Sequence, residues 1–238
     1  MKEKLNILIT GASRGIGNAI ARTVAHRAEK LLVTSHFPES LSVGVNKIKE
    51  AYEGSILPYN IDQTKGEEAA VRLSAWITQQ VDKLDIVILC AGNYHEGKLI
   101  DISSQDFEDT MSTNFSFYFY LVRNVIELVR KGNCPRIIII GSTAAYAPYP
   151  VPTYGISKYA LRGFAVNLRK ELMNDNIGVT FVSPGGTLTD MWSDVDVPFN
   201  RLLDPTDLAK MIDCMFDLSP QAVVEEIIIR PMLGEYDE

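Results

Sequence analysis

Tyr154 and Lys158 carry the most specific chemistry of any residue pair in this sequence. They stand four positions apart in the segment YGISK, and in a helix that spacing places both side chains on one face. A tyrosine has an unperturbed pKa near ~10, and a neighbouring ammonium group favours the phenolate. We therefore expect Lys158 to lower the pKa of Tyr154, so that the phenol exchanges a proton with an alcohol or a carbonyl near neutral pH.

Ser142 is the third residue of this predicted group. It follows the apolar segment 136–141 (RIIIIG), which indicates a strand buried on both faces, so Ser142 projects at the carboxyl end of that strand. There its hydroxyl can bind the substrate oxygen that Tyr154 protonates. The same spacing recurs at Tyr94 and Lys98, but a glycine interrupts that copy and it falls in a predicted loop. We assign the chemistry to Tyr154.

A glycine-rich segment near the N-terminus, 10–17 (TGASRGIG), predicts a phosphate-binding turn. Glycines let backbone N–H groups approach a pyrophosphate, and the following helix N-terminus favours negative charge. The glycine spacing differs from the common GxGxxG, but the strand–turn–helix context is the one that fingerprint requires. A glycine turn without a ligand remains the alternative. The residues expected to contact the cofactor here are Gly11, Ser13, Arg14, Gly15, Ile16 and Gly17.

The region after the second predicted strand bears on the choice of cofactor. Dinucleotide sites that bind a free ribose hydroxyl usually place an acidic residue there, whereas this chain has Ser35 and His36. The missing carboxylate and the nearby guanidinium of Arg14 favour a 2′-phosphate, so NADP(H) is the predicted cofactor and NAD(H) stays possible. The alternative is that Arg14 is only a solvated loop residue.

Alternating apolar and amphipathic segments predict an α/β fold. The predicted strands are 5–10, 30–35, 55–60, 85–91, 136–141, 178–183 and 226–230, and the helices are 16–28, 41–53, 65–81, 104–131, 154–173 and 205–218. This order indicates a Rossmann-type, doubly wound parallel sheet in three α/β/α layers, with residues 1–238 forming a single domain. Long loops at 142–153 and 184–204 follow strands, where ligands bind in such sheets.

Composition restricts the possible partners and location. The net charge of −7 makes nucleic acid an unexpected partner. Cys90, Cys134 and Cys214 form no CxxC pair, so we expect neither a disulfide framework nor a metal site, and we predict a cytoplasmic location. No segment has the length of a membrane-spanning helix.

Taken together, these motifs resemble the short-chain dehydrogenase/reductase family in its short, single-domain form. Segment 10–17 is similar to the family's TGxxxGxG, Ala91-Gly92 to the end of its Asn-Asn-Ala-Gly motif, and Ser183-Pro184-Gly185 to its nicotinamide-binding loop. Leu89 and Cys90 replace the two asparagines. The separation of Ser142 from Tyr154 is 154 − 142 = 12 positions, one fewer than usual, which leaves Thr143 as an alternative to Ser142.

The resemblance implies that a hydride passes between a nicotinamide and a carbonyl or secondary alcohol substrate. It implies that Tyr154 donates the proton in reduction, Lys158 binds the nicotinamide ribose, Ser142 polarises the carbonyl, and Asn114 holds a water in the proton relay. The C-terminal sequence differs from that of typical 3-oxoacyl carrier-protein reductases. Further cofactor contacts are implied at Ser35, His36, Asn60, Ile61, Cys90, Ala91, Gly92, Pro184, Gly185, Thr187 and Thr189.

Three questions stay open at the level of sequence. The aromatic segment 115–120 (FSFYFY) fits either ordinary core or a subunit interface, and the resemblance implies a homodimer or homotetramer. Basic residues on the predicted helices 104–131 and 154–173 fit solvated faces, or a surface for an acidic carrier protein. The alternatives to a small-molecule oxidoreductase are a non-catalytic dinucleotide sensor or scaffold and, less well supported, a methyltransferase that gives no reason for the Tyr154–Lys158 pair.

Overall fold

The computed structural model describes residues 3–193 and 196–236. Its strands are β1 (Leu5–Thr10), β2 (Ala28–Ser35), β3 (Ser55–Asn60), β4 (Ile86–Leu89), β5 (Arg136–Ile140), β6 (Gly178–Pro184) and β7 (Glu226–Ile229). Its helices are α1 (Gly15–Val24), α2 (Pro38–Lys49), α3 (Gly66–Gln80), α4 (Ser104–Met111), α5 (Phe117–Arg130), α6 (Pro152–Leu172) and α7 (Pro205–Met215).

The seven strands form one parallel sheet in the order β3-β2-β1-β4-β5-β6-β7. Strands such as β5 are apolar at nearly every position because both faces of the sheet are covered. One buried cluster joins the sheet to α3, α5 and α6, and a second joins the opposite face to α1, α2 and α7. The predicted three-layer, doubly wound Rossmann-type fold is confirmed.

The order of the strands reverses at β1, which pairs with β2 on one side and with β4 on the other. In a doubly wound sheet this switch point opens a crevice at the carboxyl ends of the two strands. The predicted glycine turn follows β1, and the predicted Ala91-Gly92 segment follows β4. The topology therefore brings these two segments together at the crevice.

Several boundaries differ from the sequence-based prediction: the helix predicted over 16–28 ends at Val24, and the helix predicted over 41–53 spans Pro38–Lys49. Two further differences have a physical reason that concerns the site. The predicted helix 104–131 is interrupted by a π-helical turn at Ser112–Ser116, which lies between α4 and α5. The strand predicted over 85–91 ends at Leu89, because the backbone N–H groups of Cys90 and Ala91 turn to donate to Thr10 Oγ1 at 3.0 and 3.3 Å. Both irregularities place residues of the candidate site.

The two long loops predicted after strands are present and contain short helical turns. The first includes a turn at Thr143–Ala145 and ends where α6 begins at Pro152, a residue suited to the first helical turn. The second is held by a parallel bridge between Thr187 and Leu203. Positions 194 and 195 of this second loop lie outside the described residues.

Candidate active site

A cleft with a volume of about 430 Å³ opens at the carboxyl edge of the sheet, over the switch point between β1 and β4. Many of the residues predicted to form a site line it. These are Gly11, Ser13, Arg14, Gly15, Ile16, Gly17, Ser35, His36, Cys90, Ala91, Gly92, Tyr154, Lys158 and Thr189. Segments far apart in the chain therefore meet around one elongated space.

The glycine turn packs too closely against its neighbours to hold side chains. Gly11 and Gly15 have φ values of +69° and +56°, in the left-handed region that favours glycine. A Cβ on Gly11 would lie 2.6 Å from Ala91 Cα, and a Cβ on Gly17 would lie 2.2 Å from the carbonyl oxygen of Gly11. The turn thus presents backbone to the cleft and leads directly into the N-terminus of α1, as a phosphate cradle requires.

Side chains around the turn fix one end of the cleft. Ser35 Oγ donates to Ser13 Oγ at 2.9 Å, which ties the end of β2 to the glycine turn. Arg14 reaches across the mouth to Asp190, with 3.2 Å between Nη1 and Oδ2, and both side chains are largely exposed. An exposed pair of this kind contributes little stability and leaves the guanidinium free to take another partner.

The end of the cleft beyond β2 is bordered by aromatic rings and a carboxylate. The His36 ring stacks on Phe37 at a centroid distance of 4.4 Å, and its Nδ1 lies 3.4 Å from Asp62 Oδ1. Asp62 also accepts hydrogen bonds from the backbone N–H and hydroxyl of Thr64, and its pKa is lowered by these bonds and by the nearby His36, against a burial effect. This carboxylate is occupied in capping a turn.

Three polar atoms on residues that line the cleft are buried and have no hydrogen-bond partner among the described residues. They are Gln63 Nε2, Asn93 Oδ1 and Thr113 Oγ1. A buried polar group that is left unpaired costs about 1–3 kcal/mol, so such groups are ordinarily completed by a bound ligand or an ordered water. One donor amide, one acceptor oxygen and one hydroxyl fit a polar, elongated ligand such as a dinucleotide. None of the three was a predicted site residue.

Tyr154 and Lys158 line the cleft, and Ser142 lies beside Tyr154. The Ser142 hydroxyl lies close enough to the Tyr154 phenol to lower its pKa, and Lys158 Nζ lies 5.1 Å from the centroid of the Tyr154 ring. Ser142 Oγ also accepts from Ala144 N at 3.1 Å, which fixes its side chain. The predicted grouping of these three side chains at the end of β5 and on the first turns of α6 is what the structure contains.

The acid–base state of this group differs from the expectation. Burial raises the pKa of Tyr154 to about 12, and the bond from Ser142 offsets this only in part. Burial lowers the pKa of Lys158 to about 8. The pKa of Tyr154 is thus raised and not lowered, because desolvation of the phenol outweighs any effect of the Lys158 ammonium group, whose Nζ lies 5.1 Å from the centre of the ring.

Asn114 lies on the π-helical turn and is fully buried. Its Nδ2 donates to the Asn93 carbonyl and to Ser157 Oγ, both at 2.9 Å, and its Oδ1 accepts from Asn93 N at 2.9 Å. Both amide hydrogens are therefore used in holding the segment after β4 against α6. The side chain retains only one acceptor position on Oδ1 for the water that the resemblance implies.

The remaining predicted contacts lie around the cleft and do not line it. Asn60 Nδ2 donates to the backbone carbonyls of Ser35 and His36, which braces the end of β2, and Ile61 is buried. Pro184, Gly185 and Thr187 follow β6, and Thr187 Oγ1 donates to the Gly185 carbonyl at 2.9 Å. Cleft residues that the sequence analysis missed are Phe37, Gln63, Thr64, Asn93, Tyr94, Thr113, Ile140, Gly141, Asp190 and Met191.

Glu235 lies next to the site, and no motif in the sequence predicted its position there. Its Oε1 accepts from Thr143 Oγ1 and its Oε2 accepts from Gly186 N, both at 2.9 Å. A Cβ on Gly185 would lie 2.5 Å from Glu235 Oε1, so the C-terminal segment presses directly on the loop after β6. The carboxylate links the turn beside Ser142 to that loop.

The fold and the glycine turn define a dinucleotide-binding α/β protein of Rossmann type. The chain matches the short chain dehydrogenase family over residues 5–197 and belongs to that family, whose members are NAD(P)-dependent oxidoreductases. It is 31% identical to the sepiapterin reductase of Chlorobaculum tepidum over 98% of each chain. It is 30% identical to the 2,3-dihydro-2,3-dihydroxybenzoate dehydrogenase of Bacillus subtilis, over 90% of this chain and 88% of that protein.

A solved structure shows the same fold. The alcohol dehydrogenase of the archaeon Thermococcus sibiricus, complexed with 5-hydroxy-NADP, aligns with a TM-score of 0.86 and 22% identity over 97% of each chain. In the part of the present chain that the structure describes, no helix is long and apolar enough to cross a membrane. The same residues contain no cluster of three or more histidines, cysteines and acidic residues placed to hold a metal ion.

Proposed function

We propose that this protein is an NADP(H)-dependent oxidoreductase that interconverts a small carbonyl compound and its secondary alcohol. The observation that carries the proposal is the contact of the Ser142 hydroxyl with the Tyr154 phenol beside Lys158, at the inner end of a glycine-floored cleft. A site with this arrangement can bind a carbonyl oxygen between two hydroxyl groups while a hydride donor lies along the cleft.

Ser142, Tyr154 and Lys158 each have a distinct role in the proposed reduction. The bound nicotinamide would supply the hydride. Ser142 donates a hydrogen bond that polarises the substrate carbonyl, and Tyr154 gives its proton to the developing alkoxide. A pKa raised to about 12 keeps Tyr154 protonated near neutral pH, which suits the reductive direction. Lys158 holds a positive charge against the site, where it stabilises the phenolate that remains and can donate to a ribose hydroxyl.

The cofactor preference rests on the rim of the cleft. Arg14 is free enough to exchange its exposed Asp190 partner for a 2′-phosphate, and neither Ser35 nor His36 offers a carboxylate to a ribose hydroxyl. Asp62, whose carboxylate lies 3.4 Å from His36, is already engaged with Thr64. The neighbour from Thermococcus sibiricus, described with 5-hydroxy-NADP, is consistent with this preference. NAD(H) remains the second possible cofactor.

The decisive experiment compares Tyr154→Phe with the unchanged protein in two assays. With a panel of small ketones and aldehydes, we expect kcat to fall about 10²–10⁴-fold, as for the loss of a general acid. In thermal unfolding, both proteins should be stabilised by NADPH, since the cofactor binds only the folded state. Tyr159→Phe, which changes an exposed tyrosine on α6, is the matched control and should keep most of the activity.

The outcomes separate this function from its main rival, a non-catalytic dinucleotide sensor or scaffold. Undiminished reductase activity in Tyr154→Phe would contradict the catalytic role. A thermal shift with NADPH but no turnover on any carbonyl would favour the sensor. A better kcat/KM with NADH than with NADPH would contradict the cofactor preference.

The proposal also covers the domain organisation, the oligomeric state and the cellular location of the enzyme. We infer that the chain works as one domain and as a homodimer or homotetramer. Three free cysteines, two of them exposed, suit the reducing cytoplasm.

A further inference from the structure

A second cavity lies at the opposite edge of the sheet from the active site. Its volume is about 170 Å³, and it is bordered by the first residues of β5 and β6, the end of α6 and the segment before β7. Because all strands run in one direction, this edge carries the amino ends of the strands, whereas the candidate active site is at their carboxyl ends. The cavity has no part in the proposed reduction.

Arg136, the first residue of β5, supplies a buried charge to this cavity. It is only 6% exposed, and burial lowers its pKa. Its Nη1 donates to the Ala222 carbonyl at 3.1 Å, and among the described residues it forms no ion pair. A Cβ on Gly178 would lie 3.1 Å from Arg136 Nη1, so the absence of a side chain at Gly178 leaves room for the guanidinium.

A second guanidinium borders the same cavity. Arg169 on α6 is mostly buried, and its Nε has no hydrogen-bond partner in the described chain. Glu225 approaches this nitrogen at 3.3 Å without hydrogen-bond geometry, and its side chain is 67% exposed. Among the described residues, Arg169 thus has one exposed carboxylate beside it and Arg136 has none, so the cavity keeps an excess of positive charge.

Buried charges are ordinarily paired, because desolvation of a lone ion costs several kcal/mol. A guanidinium carries five N–H donors in a planar fork that matches the oxygens of carboxylate, sulfate and phosphate groups. We propose that the cavity between Arg136 and Arg169 is a binding site for a small oxyanion, free or as the charged group of a small metabolite. The bound anion completes the donors of both arginines and pins the end of α6 to the starts of β5 and β6.

The test is thermal unfolding of the cofactor-free protein in inorganic phosphate and in sodium chloride of equal ionic strength. At phosphate tenfold above its Kd, we expect the unchanged protein to gain about 3–6 °C in Tm over chloride. Arg136→Met and Arg169→Gln should each lose most of this gain. Arg72→Gln, which removes one exposed guanidinium on α3, should keep it. Sulfate and acetate arms show whether the site prefers a tetrahedral dianion or a carboxylate.

A phosphate effect has one competing source, the predicted pyrophosphate turn at Arg14. Arg14→Gln should therefore keep the gain if the distal cavity is responsible. The proposal is overturned if the unchanged protein gains nothing over chloride, if Arg136→Met and Arg169→Gln both retain the gain, or if Arg14→Gln alone abolishes it. Because no cofactor or carbonyl substrate is present, the result is independent of whether the proposed reductase activity is found.

Discussion

Lys158 is a buried lysine, and its surroundings disfavour the charged form of its side chain. It is 4% exposed, it donates a long hydrogen bond of 3.5 Å to the Ile140 carbonyl, and in the described chain no carboxylate pairs with it. This burial is the reason that the pKa of Lys158 is lowered to about 8. Since the proposed reaction needs this charge beside Tyr154, the folded protein tolerates a destabilising residue for the sake of its function.

Replacing the lysine should therefore stabilise the protein while destroying its activity. For Lys158→Met at pH 7 we expect a gain of about 1–3 kcal/mol in the free energy of unfolding, from a pKa that is lower in the folded than in the unfolded chain. The measurement is denaturant unfolding of the cofactor-free protein. Lys170→Met, an exposed lysine on the same helix, is the control and should change little. A less stable Lys158→Met protein would show that packing of the lysine outweighs its desolvation.

The pH dependence of that gain has a definite sign. The folded pKa is depressed from 10.5 to about 8, so the unfolded chain binds the extra proton between these values. The desolvation penalty is fully present below about pH 8 and is relieved as the pH rises toward 10.5. The stability difference between Lys158→Met and the unchanged protein should consequently shrink between pH 8 and 10. A difference that grows over this range would contradict the assignment.

At the scale of elements, the loops that follow β5 and β6 are joined by the C-terminal segment. Glu235 accepts hydrogen bonds from Thr143 and from the Gly186 backbone, and Arg230 Nε lies 3.6 Å from its Oε1. These contacts connect positions 92 and 49 residues apart in sequence. The bonds thus hold the substrate side of the cleft in one arrangement.

Glu235→Ala should loosen both loops. Hydrogen bonds to a charged group contribute about 1.5–3 kcal/mol each when buried, less at this partly exposed site, so we expect a Tm lower by about 2–6 °C. The KM for NADPH or for the carbonyl substrate should rise about 3–30-fold, with a smaller change in kcat, because the hydrogen bonds lost are those to Thr143 and the Gly186 backbone. Glu50→Ala, an exposed change at the end of α2, is the control. Unchanged KM values would limit Glu235 to a local structural role.

Sequence patterns predicted the strands, the glycine turn and the Tyr154–Ser142–Lys158 group because each depends on local order along the chain. The π-helical turn at Ser112–Ser116 escaped prediction, since the apolar pattern on both sides of it continues as in a regular helix. Gln63 and Thr113 were missed for another reason: what marks them is an unpaired buried atom, which arises only in the tertiary structure. The raised pKa of Tyr154 likewise follows from burial that spacing alone does not reveal.

At the scale of the whole molecule, α5 and α6 leave an apolar surface uncovered. Phe119, Tyr159 and Val166 are 41%, 48% and 57% exposed, and Phe119 packs edge-on against Phe164. Apolar and aromatic residues grouped in this way are typical of the centre of a subunit interface. The surface supports the proposed homo-oligomer and leaves the cleft at the sheet edge accessible.

A charge placed in this surface should dissociate the oligomer. For Val166→Asp we expect the mass from light scattering after size exclusion to fall to that of one 26.5 kDa chain, since an unpaired carboxylate is costly to bury in an interface. Val71→Asp, on the exposed face of α3, is the matched control and should leave the mass unchanged. A monomeric unchanged protein, or a Val166→Asp protein of undiminished mass, would contradict an interface on α5 and α6.

The order of strands also has a consequence for how the chain folds. The cleft is assembled from segments that include 11–17, 35–37, 90–94 and 189–191, which meet only after β1, β2, β4, β5 and β6 have paired. Parallel pairing of distant segments is slow, because loop closure precedes the contacts that compensate it. A partly folded chain therefore has no cofactor site. NADPH should therefore leave the refolding rate unchanged and should slow only the unfolding rate. A protein molecule with bound cofactor would stay folded for longer, but it would not fold faster.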